Sequence, residues 1–319
     1  MVDPSRRDRV GLGLIGLGPS WELLYRSAID RLHNRLTIRA VFDTVEARAR
    51  SVAEDFDAES VGSLHQMLKR SSLQGLLVLD PGWLGAGALH SIAHSGKPVY
   101  LATPVLRQGA ELHRLLQGQS AIKSSPGYSQ IPDDRWMPEL RLRFTPASCR
   151  LRELIATKLG PVKDIQIECN LDSDISELAQ IVDWCADLMG QMLVVAKDDG
   201  GLKHFDSPVH FEIPRPKLKS NPGTVSLHHS KRVDGGSRCD IQCLRGTATV
   251  RDRAWIHWEN SQESAEECLL DERSEIEILI DQFCRRALGG LNPVGRLEEF
   301  AKALQIAESL SNGRRTSMC

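Results

Sequence analysis

The strongest constraint in this sequence is an alternation of short apolar runs with segments of helical pattern over its first hundred residues. The runs that read as strands are residues 10–16, 36–42, 75–79 and 98–102. Apolar residues at helical spacing fill the intervals between them. Because these runs are apolar on both sides, they are typical of parallel strands covered by helices. The predicted N-terminal fold is therefore α/β, a doubly wound parallel sheet of Rossmann type.

The pattern changes after about residue 120, where prolines interrupt it and strand-like runs follow one another. The later strand-like runs are residues 162–169, 192–196, 224–229, 239–244, 248–251 and 255–258. Helical patterns cover residues 150–159, 177–189, 274–288 and 297–310. Glycine turns between successive strands favour antiparallel pairing. We predict a Rossmann domain over residues 1–122 and, over 123–319, an α+β domain with an open, mostly antiparallel sheet. The final helix is expected to pack back on the Rossmann domain.

Length and charge narrow the classes of function. The chain has 319 residues, which at about 100–200 residues per domain agrees with two domains. Its 40 basic and 42 acidic residues nearly cancel, so no overall field favours nucleic acid or an acidic membrane. No run approaches the roughly 18–20 apolar residues that cross a bilayer, and no secretion signal precedes residue 10. We therefore expect a cytoplasmic protein with neither nucleic acid nor membrane as a partner.

The eight cysteines are scattered and show no C-x-x-C pair, so we expect reduced thiols used as small core residues. Cys239 and Cys243 would share one face of a predicted strand, and His90 and His94 one face of a predicted helix. Two ligands do not make a zinc site. The sequence therefore predicts no metal.

The turn after the first strand reads Gly16-Leu17-Gly18-Pro19-Ser20-Trp21 and matches the dinucleotide fingerprint G-x-G-x-x-G at its first two glycines. In that fingerprint the first glycine makes a tight turn and the second lets the backbone approach a pyrophosphate at the helix start. The third glycine allows close packing of helix on strand, and here Trp21 replaces it. An indole cannot fill the space of a hydrogen atom, so the helix must sit differently or the loop must bulge.

Two acidic residues follow predicted strands of the first domain. Asp43 stands where the fingerprint places an acceptor for the adenosine ribose, and its charge would repel a 2′-phosphate, favouring NAD over NADP. Asp80 and Pro81 stand at the end of a sheet strand, where a ligand would lie. An aspartate after a strand is also an ordinary helix cap or turn opening. The predicted cofactor residues are Gly16, Gly18, Pro19, Ser20, Asp43, Asp80 and Pro81.

A series of short pieces runs along nearly the whole chain. The first half contains Arg39-Ala40-Val41-Phe42-Asp43, Ala47-Arg48-Ala49, Val78-Leu79-Asp80-Pro81 and Ser95-Gly96-Lys97-Pro98-Val99. The second half contains Arg143-Phe144-Thr145-Pro146, Leu159-Gly160-Pro161-Val162, Asp183 with Gly190, Arg245-Gly246-Thr247 and Ala307-Glu308-Ser309. In this order and spacing they resemble the Gfo/Idh/MocA family of oxidoreductases. The resemblance implies NAD(P)-dependent chemistry on a sugar- or polyol-like substrate and a homodimer or homotetramer that uses the open sheet.

The resemblance also implies catalytic positions, and this chain departs from the family there. The family usually carries Glu-Lys-Pro where this sequence reads Ala102-Thr103-Pro104, so Thr103 replaces the lysine. Gln180 replaces a proton-relaying histidine three residues before Asp183, which keeps its family position. Neither threonine nor glutamine titrates near neutral pH, so neither can transfer the proton of an alcohol. Asp183 is either a substitute acid or base or a structural carboxylate.

Two hypotheses follow from these replacements. The first is an NAD(H)-binding oxidoreductase whose catalysis on a small polyhydroxylated substrate is weak, altered or relocated. The second is a non-catalytic ligand-binding or interaction protein that retains the oxidoreductase fold.

Overall fold

The structure is a computed structural model of the chain. It describes residues 9–80, 85–106, 135–169, 174–190, 194–195, 209–212, 223–229, 237–270, 273–290 and 295–316. Two compact units make up the chain. Unit 1 comprises Met1–Glu139 and Ile276–Ala301, and unit 2 comprises Leu140–Glu275 and Lys302–Cys319. The domain boundary predicted after residue 122 lies outside the described residues.

Unit 1 is built on a sheet of six parallel strands in the order β3-β2-β1-β4-β5-β6. Its strands are β1 (Val10–Ile15), β2 (Leu36–Phe42), β3 (Glu59–Ser60), β4 (Gly75–Val78), β5 (Val99–Leu101) and β6 (Trp136–Pro138). The central strand β1 is buried at every position, and its Leu14 pairs with Val41 and with Leu77. The predicted doubly wound parallel sheet is confirmed.

Helices follow the strands of unit 1. They are α1 (Arg26–Arg31), α2 (Glu46–Asp55), α3 (Leu64–Lys69), α4 (Ala86–His94) and α5 (Thr103–Leu106). A π-helical segment, Trp21–Tyr25, leads directly into α1. At the start of α3 the Ser63 side chain accepts a hydrogen bond from Gln66 N, which satisfies one of the unpaired amides of the first helical turn.

Unit 2 contains a sheet of eight strands in the order β14-β13-β12-β11-β7-β10-β9-β8. Its strands are β7 (Val162–Cys169), β8 (Val194–Val195), β9 (Val209–Glu212), β10 (Thr224–His229), β11 (Arg238–Cys243), β12 (Gly246–Arg251), β13 (Trp255–Asn260) and β14 (Ser264–Cys268). Only β7 and β10 pair in parallel among these strands, and the other pairs are antiparallel. The predicted mostly antiparallel sheet is confirmed.

One face of this sheet is covered by helices of the same unit. Helix α6 (Pro146–Leu154) packs against β12 and β13, and α7 (Ile175–Met189) packs against β7. In β7 the buried residues Ile165 and Ile167 alternate with more exposed neighbours, so the strand has one core side. The alternation continues in β11 and β13, and the second face of the sheet is therefore the more open one.

Two helices occur late in the chain, α8 (Glu275–Ala287) and α9 (Leu297–Thr316). All of α8 after its first residue belongs to unit 1, as does α9 as far as Ala301. Among the described residues, no helix combines the length and apolar character needed to cross a membrane.

Helix α8 covers part of the unit 1 sheet. The ring of Phe283 packs edge-on against Tyr100 with 5.8 Å between ring centroids. A Cβ atom added to Gly75 would come within 2.9 Å of the Phe283 ring, so a side chain on Gly75 would push the helix away. Asp281 of the same helix accepts a 3.1 Å bond from Arg35. Aromatic packing and an ion pair thus fix α8 to unit 1.

The seven described cysteines are free thiols, and five of them are buried. Burial raises the pKa of Cys243 to about 11 and that of Cys284 to about 12. Burial also raises the pKa of Cys185 and Cys239, which lie in the core of unit 2. A thiol with a raised pKa holds little thiolate, and the thiolate is the nucleophile.

We therefore expect N-ethylmaleimide at pH 8 to modify Cys268, which is exposed, well before Cys185 or Cys239. Peptide mass spectrometry of samples quenched over time measures each rate. The same reaction in urea is the control, in which all three sites should react alike. Labelling of Cys185 in the folded protein as fast as Cys268 would contradict this picture.

Candidate functional site

The glycine turn after β1 packs directly against the end of β4. Gly16 has a φ of +77°, a conformation that side-chain-bearing residues rarely adopt. Its N–H donates to Phe42 O at 2.9 Å. A Cβ on Gly16 would lie 2.5 Å from the backbone oxygen of Asp80, so that position accepts only glycine.

The second glycine of the turn is occupied on its open side by the Asp80 side chain. A Cβ on Gly18 would lie 2.5 Å from Cγ and 2.8 Å from Cβ of Asp80, and Oδ2 is nearer still. In the dinucleotide fingerprint this is the space through which the backbone approaches a pyrophosphate. With the Asp80 carboxylate in that space, the residues around Gly18 do not fit a diphosphate. Pro81, which was predicted to share this site, lies outside the described residues.

Trp21 takes the third fingerprint position and opens the π-helical segment. Its indole is buried and contacts the Phe56 ring edge-on, with 5.9 Å between centroids. A π-helical turn is wider than an α-helical one, which gives room for the large side chain. Before it, Pro19 is exposed, and the half-buried Ser20 makes no side-chain cap bond to the helix. The indole Nε1 is buried without a hydrogen-bond partner in the described part of the chain.

Asp43 ties the glycine turn to the start of α2. Its Oδ2 accepts a bond from Leu17 N at 2.7 Å, while Oδ1 accepts from Val45 N at 2.7 Å and from Arg48 Nη2 at 3.0 Å. Both carboxylate oxygens are thus engaged by the chain itself. Arg48 was not among the predicted site residues, although its position one turn into the helix after Asp43 was a usable signal. The Arg48 guanidinium offsets the negative charge of Asp43, which would otherwise repel the 2′-phosphate of NADP.

Thr103, a predicted site residue, makes a hydrogen bond within unit 1. Its hydroxyl donates to Glu139 Oε1 at 2.6 Å, while the hydroxyls of Tyr25 and Tyr100 donate to Oε2, each at 2.7 Å. Glu139 is fully buried directly after β6. These four side chains, the Glu139 cluster, all belong to unit 1. Sequence reasoning missed Glu139, because the prolines around it hid the strand that precedes it.

Gln180 and Asp183 lie on α7 in unit 2 and both contact the short 3₁₀ turn Arg141–Phe144. Gln180 is buried, and its Oε1 accepts a bond from Arg141 N at 3.1 Å. Asp183 receives two bonds from Arg143, from Nε to Oδ2 and from Nη2 to Oδ1, both at 2.7 Å. A bidentate arginine–carboxylate pair is among the stronger polar contacts in proteins. Both side chains thus join α7 to this turn.

The chain matches no protein-family model and no curated protein sequence. Solved structures do resemble it over nearly their full length. A dehydrogenase (MviM) from Clostridium difficile has a TM-score of 0.69 at 14% identity, over 95% of this chain and 99% of that one. Levoglucosan dehydrogenase, in complex with NADH and levoglucosan, has a TM-score of 0.67 at 13% identity, over 97% and 98%. This chain has the fold of a dehydrogenase.

A third similar structure is the UDP-N-acetylglucosamine 3-dehydrogenase of Acidithiobacillus ferrooxidans. Its TM-score is 0.67 at 16% identity, over 96% of this chain and 97% of that one. The structural neighbours are Gfo/Idh/MocA-type dehydrogenases and oxidoreductases, the family that the sequence resembles. At these identities the likeness concerns the fold.

Lys97, in the sequence piece Gly96-Lys97-Pro98-Val99, holds a loop of unit 1 through its ammonium group. Lys97 Nζ donates to Arg70 O at 2.8 Å and to Leu73 O at 3.0 Å, which closes the connection between α3 and β4. Burial lowers the pKa of this ammonium group. The Gly-Lys-Pro-Val piece is therefore a structural element of unit 1.

No group of three His, Cys, Asp or Glu side chains could hold a metal ion within the described residues.

Proposed function

We propose that this protein is a Gfo/Idh/MocA-type oxidoreductase-fold protein that binds a small sugar- or polyol-like ligand without dehydrogenating it. One observation carries the proposal. The side chains at the family's two acid–base positions cannot titrate and are used inside their own units, Thr103 by Glu139 and Gln180 by Arg141 N.

The absence of a titrating group at these positions has a large kinetic consequence. Oxidation of an alcohol requires that its hydroxyl proton be removed, and a positioned general base typically contributes about 10² to 10⁴ in rate. Asp183 is the titratable group among the three candidate positions, and both its oxygens accept bonds from Arg143. We therefore give Asp183 a structural role, as the acceptor of a bidentate arginine contact.

The ligand class comes from the comparisons. Two neighbours are named for carbohydrate substrates, levoglucosan and a UDP-sugar, and this supports a polyhydroxylated ligand for the present chain.

We propose that the protein assembles as a homodimer or homotetramer and that it is located in the cytoplasm. The open face of the unit 2 sheet supports the assembly, because it carries half-buried Trp255 and His257 side chains stacked at 6.4 Å.

We expect no reduction of NAD or NADP when the purified protein is incubated with levoglucosan, glucose or inositol. We also expect the double variant Thr103→Lys/Gln180→His to remain inactive, because a lysine at 103 would meet the Glu139 carboxylate rather than a substrate. Absorbance at 340 nm measures turnover. If the wild type or the double variant binds one of these ligands, a saturating concentration of that ligand should raise its unfolding temperature, because binding stabilises the folded state.

Levoglucosan dehydrogenase in the same assay is the positive control. Turnover by the wild-type chain would overturn the proposal. A large gain of activity in the double variant would contradict the expected contact of the new lysine with Glu139 and would mark a dehydrogenase that has lost its acid–base groups. A ligand-dependent rise in unfolding temperature without turnover is the supporting result.

A second candidate is an NAD(H)-dependent enzyme with weak chemistry. The Asp43–Arg48 pair at the end of β2 favours it, since an acidic residue at this strand end belongs to the nucleotide site of this fold. Saturable NADH binding together with slow polyol oxidation by the wild type would distinguish it from the first candidate.

A further inference from the structure

The turn between β1 and the helix Trp21–Arg31 has the features of an anion site. Backbone N–H groups at a helix start attract negative charge, and a glycine beside them allows close approach. In this chain the anion that meets Gly18 is the Asp80 carboxylate, because Cγ and Cβ of Asp80 lie where a Gly18 side chain would begin. The backbone oxygen of the same residue abuts Gly16.

We propose that Asp80 is an internal substitute for a nucleotide diphosphate and is the residue that sets the affinity of the glycine turn for dinucleotides. Both glycines are then required by the contacts of the chain with its own Asp80, whether or not a nucleotide binds. The proposal concerns nucleotide binding and does not depend on whether the protein oxidises a polyol.

Charge and space act in the same direction at this position. A dinucleotide brings two negative phosphates to a turn that already holds a carboxylate, and like charges at contact distance in a half-buried site repel strongly. The carboxylate also fills the volume that the second glycine leaves open. Binding therefore requires Asp80 to leave Gly18, and the cost of that movement lowers the apparent affinity.

Removing the charge at residue 80 is the direct test. Asp80→Asn keeps the size of the side chain and loses its charge, whereas Asp80→Ala loses both. We expect each variant to bind NADH at least about tenfold more tightly than the wild type, followed by nicotinamide fluorescence. Adenosine, which has no phosphate, should show no such gain.

Glu54→Gln is the matched control, since Glu54 is an exposed carboxylate on α2 and its loss changes the net charge equally. Its NADH affinity should equal that of the wild type. Equal NADH affinity in Asp80→Asn, Asp80→Ala and the wild type would overturn the proposal, as would the absence of NADH binding in all of them. An equal gain in Glu54→Gln would overturn it too, because a general charge effect would then suffice.

A stability cycle tests the contact without any ligand. Gly18→Ala should destabilise the wild type, because the new Cβ collides with Asp80. The same replacement in the Asp80→Ala background should cost clearly less, so the two sites should be coupled. Equal losses of unfolding temperature in both backgrounds would show that Asp80 does not occupy this space. Polyol turnover by the wild type, the result that overturns the proposed function, leaves both readouts unaffected.

Discussion

Replacing Glu139 by alanine is expected to lower the free energy of unfolding by about 3–5 kcal/mol, or the unfolding temperature by roughly 10 °C. Three buried hydroxyls, those of Thr103, Tyr25 and Tyr100, lose their shared acceptor. A hydrogen bond to a charged group contributes about 1.5–3 kcal/mol, and the cavity left by the side chain adds to the loss. Relief of the carboxylate's own desolvation offsets part of it.

Urea and thermal unfolding measure this effect, and two variants define its origin. Glu139→Gln preserves shape and an acceptor oxygen for Thr103, and it should cost less than about 2 kcal/mol. Glu54→Ala, which removes an exposed carboxylate of the same unit, should change stability by less than about 0.5 kcal/mol. A Glu139→Ala variant as stable as Glu54→Ala would show that the cluster does not hold unit 1 together.

Replacing Arg143 by alanine is expected to cost about 3–5 kcal/mol, because the Asp183 carboxylate would remain buried without its cation. The side chains of Arg143 and Asp183 are only 11% and 2% exposed, so water cannot compensate the charge. Arg143 also pairs with Asp187 at 2.9 Å, so its removal affects two carboxylates of α7. The free energy of unfolding in urea measures the effect.

Arg143→Lys separates charge from geometry in this pair. A lysine keeps the cation but cannot form the bidentate contact, so we expect a loss of about 1–2 kcal/mol. Arg238→Ala is the comparison, since the side chains of Arg238 and Asp240 are 38% and 41% exposed and the loss of this pair should cost less than about 1 kcal/mol. If all three variants lost the same stability, the burial of the Arg143–Asp183 pair would have no energetic consequence.

Regular apolar runs made much of the fold predictable. The predicted bounds agree with the structure for β2, β7 and β10. Their residues follow one period throughout, and their burial in the sheet or against it agrees with that period. Local propensity and tertiary environment therefore favour the same structure in these segments.

The edge strands β3, β6 and β14 escaped prediction, whereas the edge strand β8 lies within the predicted run 192–196. β6 contains Pro138 and forms an edge of the unit 1 sheet, where a missing N–H is tolerated although the residue reads as a breaker. β14 is polar and largely exposed, so it has no apolar period to detect. An edge strand forms because its neighbour in the sheet offers unpaired backbone N–H and C=O groups. The pattern of apolar residues in the edge strand itself carries no sign of that neighbour.

One helix start carried a signal that the periodic pattern did not use. The helix predicted from residue 150 begins at Pro146, where Thr145 caps the first turn by accepting from Ser148 N. A capping residue followed by proline at the first helical position is a known start signal. The segment continues beyond Leu154 as a π-helical turn, Ile155–Leu159.

The candidate site was predictable as a set of positions but not as a set of contacts. Spacing located Gly16, Gly18 and Asp43 beside strand ends, where the structure has them. The approach of Asp80 to Gly18 joins residues about sixty positions apart, and no periodic pattern carries that information. The Glu139 cluster was hidden for the same reason, because its members come from the π-helical segment, from β5, from the start of α5 and from the end of β6.

The position of Phe283 has a consequence for how the polypeptide is synthesised. The Phe283 ring packs over Gly75 and Tyr100, and it leaves the ribosome some two hundred residues after Gly75. The interior of unit 1 therefore stays incomplete while most of unit 2 is being translated. Contacts of such sequence separation form slowly and leave apolar surface open to other nascent chains. Protection by a chaperone during elongation would thus benefit the first-made part of the protein most.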